Sequence, residues 1–192
     1  MTDPRTDEGL MLAYQAGEAA AFDALYARHR TRLYRYLVHQ CGEAKLAEEL
    51  YQDIWLRVVK ARADYQPLAK FSTWLFRIAH HRLIDHYRRQ AGDPARQRDV
   101  GNDAADEAGV ENYPAPAAST PPAQLERLQL RARIDAALAA LPAPQREAFL
   151  LAEASGLSLE EIAVATGTGR ETVKSRLRYA IGKLRHALED LL

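Results

Sequence analysis

The stretch LSLEEIAVATGTGRETVKSRL, Leu157 to Leu177, reads as two short amphipathic helices joined by a glycine turn, the second loaded with cations. Ser158 is placed to cap the first helix, and Glu161 three residues on completes a capping box. Leu159, Ile162, Ala163 and Thr166 then recur at the spacing of one buried helical face. Gly167 and Gly169 bracket Thr168, which suits a sharp reversal needing backbone freedom. From Arg170 the period resumes, with Val173, Leu177, Ala180, Ile181, Leu184 and Leu188 on one stripe. At about 100° per residue, Glu171, Ser175 and Arg178 face away from that stripe, flanked by Thr172, Lys174 and Arg176. This is the layout of a helix-turn-helix whose second helix enters a DNA major groove. A plain αα-hairpin with a solvated charged face is the competing reading.

Charge supports the DNA reading. The 192-residue chain has no net charge, but its charges are sorted into blocks. Arg28 to Arg89 holds thirteen Lys/Arg against six acids, and Arg170 to His186 holds six against Glu171 alone. Between them, Ala91 to Glu126 reverses the balance, with seven acids against Arg96 and Arg98. Two positive blocks across an acidic spacer point to two nucleic-acid-facing modules. The spacer runs from Gly92-Asp-Pro to Thr120-Pro-Pro122 and is dominated by Pro, Ala and acids, the composition of a flexible linker.

Both flanking segments read as helical. Phe22, Leu25, Tyr26, His29, Leu33 and Leu37 keep helix spacing, with Gly42 as the stop. A second helix is expected over 44–63, broken off before Pro67, and a third from a cap at Ser72 to about Gln90. Beyond the spacer, Leu125 to Leu141 forms one helix, with Ile134, Ala137, Leu138 and Leu141 inward. Gln145 to Ser155 forms the next. No alternating strand pattern appears. The expected fold is therefore all-α, two small helical domains (10–90 and 124–192) joined by a flexible linker (91–123).

Two further surfaces stand out. The second helix puts Ala47, Leu50, Tyr51, Ile54, Val58 and Ala61 inward and presents Glu49, Gln52, Asp53 and Leu56 on the opposite face. An outward leucine rimmed by carboxylates fits a protein-docking face. The third helix carries Trp74, Arg77, His81 and Arg88 on one side, just after Lys70, Phe71, Ser72 and Thr73. Rings interleaved with cations suit single-stranded DNA, because unpaired bases stack on rings while cations track phosphates. Phe71 and Trp74 also fit a purely structural role, closing the helix start from the core.

Other classes find little support. Cys41 is a lone cysteine, which excludes an internal disulfide and fits a reducing cytoplasm. The N-terminus lacks the order of a signal peptide, and no apolar run approaches a membrane span, so a cytoplasmic protein without membrane insertion is expected. His81 and Asp85 sit at i, i+4 near His80 and His86, but no third ligand of predictable geometry accompanies them, so no metal is expected. No nucleophile–base pair or phosphate-cradling glycine loop is visible, so neither an enzyme nor a cofactor is expected.

Glu48-Glu-Leu-Tyr-Gln-Asp-Ile-Trp-Leu-Arg57, Phe71-Ser-Thr-Trp-Leu-Phe-Arg-Ile-Ala79 and Asp85-His-Tyr-Arg-Arg89 together resemble region 2 of extracytoplasmic-function (ECF) sigma factors. Leu141-Pro, Gln145-Arg-Glu-Ala-Phe-Leu-Leu151 and the block from Leu157 to Leu184 resemble their region 4. The resemblance implies that Glu49, Leu50, Gln52, Asp53 and Leu56 dock on the clamp helices of the RNA polymerase largest subunit. It places Lys70, Phe71, Ser72, Thr73, Trp74, Arg77, His80, His81 and Arg88 at the melted −10 strand. Arg170, Glu171, Thr172, Lys174, Ser175, Arg176 and Arg178 fall in the −35 major groove, with region 4 resting on the polymerase flap. An anti-sigma factor is the further partner implied. Two departures from the usual pattern stand out: His81 where many relatives carry asparagine, and Thr168-Gly169 where an apolar residue and a serine cap are usual. A stand-alone helix-turn-helix regulator that needs no polymerase core is the alternative reading.

Overall fold

The structure, a computed structural model, describes residues 3–90 and 121–189. Among these residues the regular structure is helical throughout: eight α-helices and one π-helical turn. Helix α1 spans Asp7–Gln15, α2 Ala19–Cys41, α3 Ala44–Lys60 and α4 Phe71–Gln90. After the spacer, most of which lies outside the described residues, α5 spans Pro121–Ala139, α6 Ala143–Phe149, α7 Leu159–Thr166 and α8 Arg170–Ala187. Leu150–Ala154 continues α6 as a π-turn.

Local chemistry sets most of the boundaries. Thr6 caps α1 by accepting from the Gly9 amide at 3.1 Å, with Asp7 and Glu8 in the first turn favouring the positive end of the helix dipole. Gly42 closes α2 in the left-handed region at φ 69°, and its amide donates to the Val38 carbonyl. Ser158 and Glu161 form the expected capping box at α7.

Several expectations need correction. Helix α1 was not anticipated. Helix α3 stops at Lys60, three residues early, and its end leads into a turn through Asp64. Ser72 does not cap α4, which already starts at Phe71; the Phe71 amide donates instead to Glu8 Oε1 of α1 at 2.7 Å. Helix α5 begins at Pro121, inside the expected linker, because proline in a first turn forfeits no intrahelical bond. Ile134 and Ile181, expected inside, are exposed.

The N-terminal module packs α1 on α2, α2 on α3 and α3 on α4 around Leu25, Tyr36, Leu37, Leu50, Ile54, Leu75 and Phe76, all essentially inaccessible. Truncating one such leucine to alanine costs about 2–5 kcal/mol. In the C-terminal module α8 lies against α6 and α7 over Leu151, Ile162, Ala165, Val173 and Ala180. The modules also meet: α4 packs on α7, and α2 on α6 and the π-turn, so the buried apolar side chains form one contiguous cluster.

Candidate nucleic-acid interface

Helix α4 sorts the nine residues expected near unpaired DNA into two groups. Lys70, Trp74, Arg77, His81 and Arg88 follow one another at helical spacing, and all but the half-buried Trp74 are exposed. Phe71, Thr73 and His80 are buried, and Ser72 is intermediate. Phe71 is fully inaccessible, ringed by Tyr65, Trp74 and His29, so it buttresses the helix start and cannot stack on a base. His80 is enclosed by a contact with the other module and does not face solvent. Trp74 is held in place by Tyr65, with ring centroids 5.1 Å apart at 74°. Burial, then the neighbouring His80 and Arg77, push the His81 pKa down, so its ring is neutral at neutral pH. At that point of the stripe the surface offers a polar ring, not a fourth cation.

A cleft of about 240 Å³ opens where the 61–70 loop meets this stripe. Asp64, Gln66, Leu68 and Ala69 from the loop, Thr73, Trp74 and Arg77 from α4, and Val164 from α7 line it. Thr73 Oγ1 is buried without a hydrogen-bond partner among the described residues. The four loop residues escaped sequence reasoning, since a loop carries no periodicity to assign its side chains.

The outer face of α3 matches the outward series except at Asp53, and Leu50 lies on the inner stripe as expected. Glu49, Gln52 and Leu56 are exposed, and Val59 extends the apolar centre beside Leu56, with the two side chains 38% and 48% accessible. Val59 was missed; continuing the 49, 52, 56 series by one step would have found it. Leu50 is fully buried and supports the face from behind. Asp53 is partly covered and tied to two arginines, Arg57 at 3.3 Å on its own helix and Arg82 of α4.

The α7–α8 pair forms the expected helix-turn-helix. Gly167 takes φ 62°, and Thr166 Oγ1 donates to the Ile162 carbonyl at 2.8 Å. Gly169, by contrast, sits at φ −77°, a conformation open to any residue, and caps α8 without a side-chain bond. Thr168 fills the turn by sharing a hydrogen bond of 3.0 Å with Thr166, not by apolar packing. Glu171, Thr172, Lys174, Ser175 and Arg178 project into solvent, Arg176 is intermediate, and Arg170 is exposed but paired with Glu160 and with Glu171 at 3.0 Å. Among the described residues no three His, Cys, Asp or Glu are grouped to hold a metal, and no helix is long and apolar enough to cross a membrane.

A helix-turn-helix beside a helical body with an aromatic–cationic face and an acidic–apolar face is the layout of a DNA-binding protein with a protein partner. Its sequence matches the profile of Sigma-70 region 2 over residues 25–92 and of Sigma-70, region 4 over residues 131–184. The chain is 36% identical to the ECF RNA polymerase sigma factor SigL of Mycobacterium tuberculosis, over 92% of this chain and 93% of that one. It is 31% identical to the RNA polymerase sigma factor CarQ of Myxococcus xanthus, over 94% and 97%. Its fold is similar to that of CnrH, solved with the cytosolic domain of CnrY (TM-score 0.68, 25% identity, 97% and 99% covered). It is also similar to the sigma factor RpoE of Bartonella quintana, solved with the anti-sigma factor NepR (TM-score 0.65, 25% identity, 88% and 96% covered). The chain belongs to the ECF family of RNA polymerase sigma factors.

Proposed function

We propose that the two modules divide promoter recognition between them, each through the exposed residues just described. The observation that carries this reading is the α4 stripe, where four exposed polar side chains surround a braced, half-open tryptophan beside a cleft. Lys70, Arg77 and Arg88 hold phosphates of the −10 strand while an unpaired base stacks on Trp74, each such stack contributing about 1–3 kcal/mol toward the cost of opening the duplex.

Helix α8 lies in the major groove of the −35 element. Glu171, Ser175 and Arg178 contact base edges, and Arg170, Thr172, Lys174 and Arg176 secure the backbone. Glu49, Gln52, Leu56 and Val59, with Asp53 at the rim and Leu50 beneath, dock on the clamp helices of the polymerase core, and the C-terminal module rests on the flap. On this reading the chain divides into a −10 and core-binding domain over 10–90, a spacer over 91–123 and a −35-binding domain over 124–192.

No bond-making chemistry falls to this chain; it is a binding subunit, not an enzyme, and works in the cytoplasm without a cofactor. By analogy with CnrH and RpoE, an anti-sigma factor restrains it. Region 2 and region 4 occurring in order weigh against a stand-alone regulator. The test is transcription from a mapped promoter with core polymerase, alone or supplemented with this chain. Transcripts that require both support the reading, and tight operator binding without any core-dependent transcript overturns it.

A further inference from the structure

We propose that Glu8 and Gln15 of α1 are positioning residues for the −10 strand, holding the two ends of the 61–70 loop so that Trp74 and the cleft keep the shape that receives an unpaired base. The proposal rests on the reading of α4 and its cleft as the −10 strand face. Helix α1 lies ahead of the residues matched by the region 2 profile, which begin at 25.

Residues 8 and 15 are two helical turns apart, so they share one face of α1 at a separation of about 10.5 Å. That face meets opposite ends of the loop. At the far end, Glu8 Oε1 accepts from the Phe71 amide of α4 at 2.7 Å. This amide is among those a helix leaves unpaired at its start, and a carboxylate there also favours the positive end of the dipole. At the near end, Gln15 Nε2 donates to the Ala63 carbonyl at 2.7 Å and to the Tyr65 carbonyl at 3.4 Å. The Arg62 guanidinium adds a third tie, 4.9 Å from the centroid of the Tyr14 ring.

What these ties hold decides what they do. Residues 61–70 form turns and bends, with no helical or strand ladder to fix their shape. Ala63 and Tyr65 alternate with Asp64 and Gln66, whose side chains line the cleft. The Tyr65 ring lies 5.1 Å from Trp74, and the Phe71 ring 5.7 Å from it. Each α1 tie therefore ends, one ring further on, at the tryptophan that stacks on the base. Tyr65 and Phe71 are both buried, and a close-packed interior passes a displacement on instead of absorbing it. A loop fixed before the strand arrives also loses less freedom on binding, and the saving appears as affinity.

The experiment uses holoenzyme reconstituted from core polymerase and the full chain. The probe is a fluorescein-labelled 12-nucleotide strand carrying the −10 sequence of a mapped promoter, with a series in which each position in turn is abasic. With the wild-type chain, one abasic position should weaken binding most, marking the base that enters the cleft. Glu8→Ala, and Gln15→Glu, which turns a carboxylate toward two carbonyls, should each bind the intact strand at least fivefold more weakly. Both should bind that abasic strand within twofold of wild type. Glu8→Gln keeps an acceptor for the Phe71 amide and should hold intact-strand affinity within twofold of wild type. Circular dichroism at the assay temperature checks folding, and Gln15→Glu with Glu8→Gln decides the matter should Glu8→Ala unfold. Unchanged intact-strand affinity in Glu8→Ala and Gln15→Glu overturns the positioning role. Equal weakening on intact and abasic strands, the mark of general loosening, overturns it too. A wild-type chain indifferent to every abasic site and to Trp74→Ala overturns instead the reading of α4 as the strand face.

Discussion

Asp53 of α3 accepts a hydrogen bond from Arg82 Nε of α4, a guanidinium whose side chain is only 14% exposed. The carboxylate that sequence spacing places on an outward docking face is therefore also a clamp between two core helices. Truncating it leaves a largely buried cation without its acid. Asp53→Ala should lower stability by about 1.5–3 kcal/mol, the range for a hydrogen bond to a charged group. Chemical denaturation measures this directly, and an unchanged midpoint would mean the pair contributes nothing to the fold.

Leu56 is the cleaner probe of docking, since it is exposed and carries no ion pair to another helix. Leu56→Ala should leave the melting temperature within about a degree, as surface substitutions do, while weakening core-polymerase affinity at least fivefold. Val59→Ala should act in the same direction. Calorimetric titration with core polymerase tests both, and wild-type affinity for both variants would move the docking face elsewhere.

The two glycines of the helix-turn-helix should respond in opposite senses. Gly167→Ala places a side chain at φ 62° and should cost about 1 kcal/mol. Gly169→Ser places a hydroxyl at an ordinary cap geometry with room for its Cβ, and should add a few tenths of a kcal/mol. Thermal melts of the two variants against wild type give the signs.

Acid should loosen the N-terminal module in two stages. Burial alone would raise the Asp7 carboxyl, but hydrogen bonds from Arg28 at 2.5 Å and His29 at 2.7 Å outweigh it and hold its pKa below the ordinary value. Burial, against the pull of Asp7, also lowers the pKa of His29. Both groups bind protons more weakly when folded, so the stability they lend is present at neutral pH and lost on acidification. The His29 part fades below about pH 6.5 and the Asp7 part below about pH 4. Asp7→Asn should lower the melting temperature at neutral pH and flatten the decline in the carboxylate range. A melting temperature that climbs on acidification would contradict this.

On the −35 side, contacts to phosphates and to bases separate by salt. Lys174→Ala should reduce the slope of log affinity against log salt by about one, uniformly across sequences. Arg178→Ala should instead relax preference at one base pair, at about 1–3 kcal/mol. Fluorescence anisotropy on a mapped promoter and its single-base variants distinguishes the two behaviours.

What the sequence made legible were features with a local code. The capping box at Ser158, the left-handed stop at Gly42 and the outward series Glu49, Gln52, Leu56 each follow from residues within a turn or two of one another. The misses share a different cause: a partner far along the chain. Phe71 owes its cap to Glu8, sixty-three residues away, so Ser72 was credited with a task done by α1. His80 carries the spacing of a nearly outward residue, yet Glu147, sixty-seven residues on, encloses it. The cleft draws four residues from a loop and one from the other module, so no helical period could assemble it.

This chain supplies promoter specificity to a polymerase core that lacks it. The most direct measurement is run-off transcription in which purified core polymerase receives either this chain or its Leu56→Ala, Val59→Ala variant. Start sites should be defined and dependent on the wild-type chain, with the variant reducing their yield at equal DNA concentration. Identical transcripts with and without the chain would contradict the account.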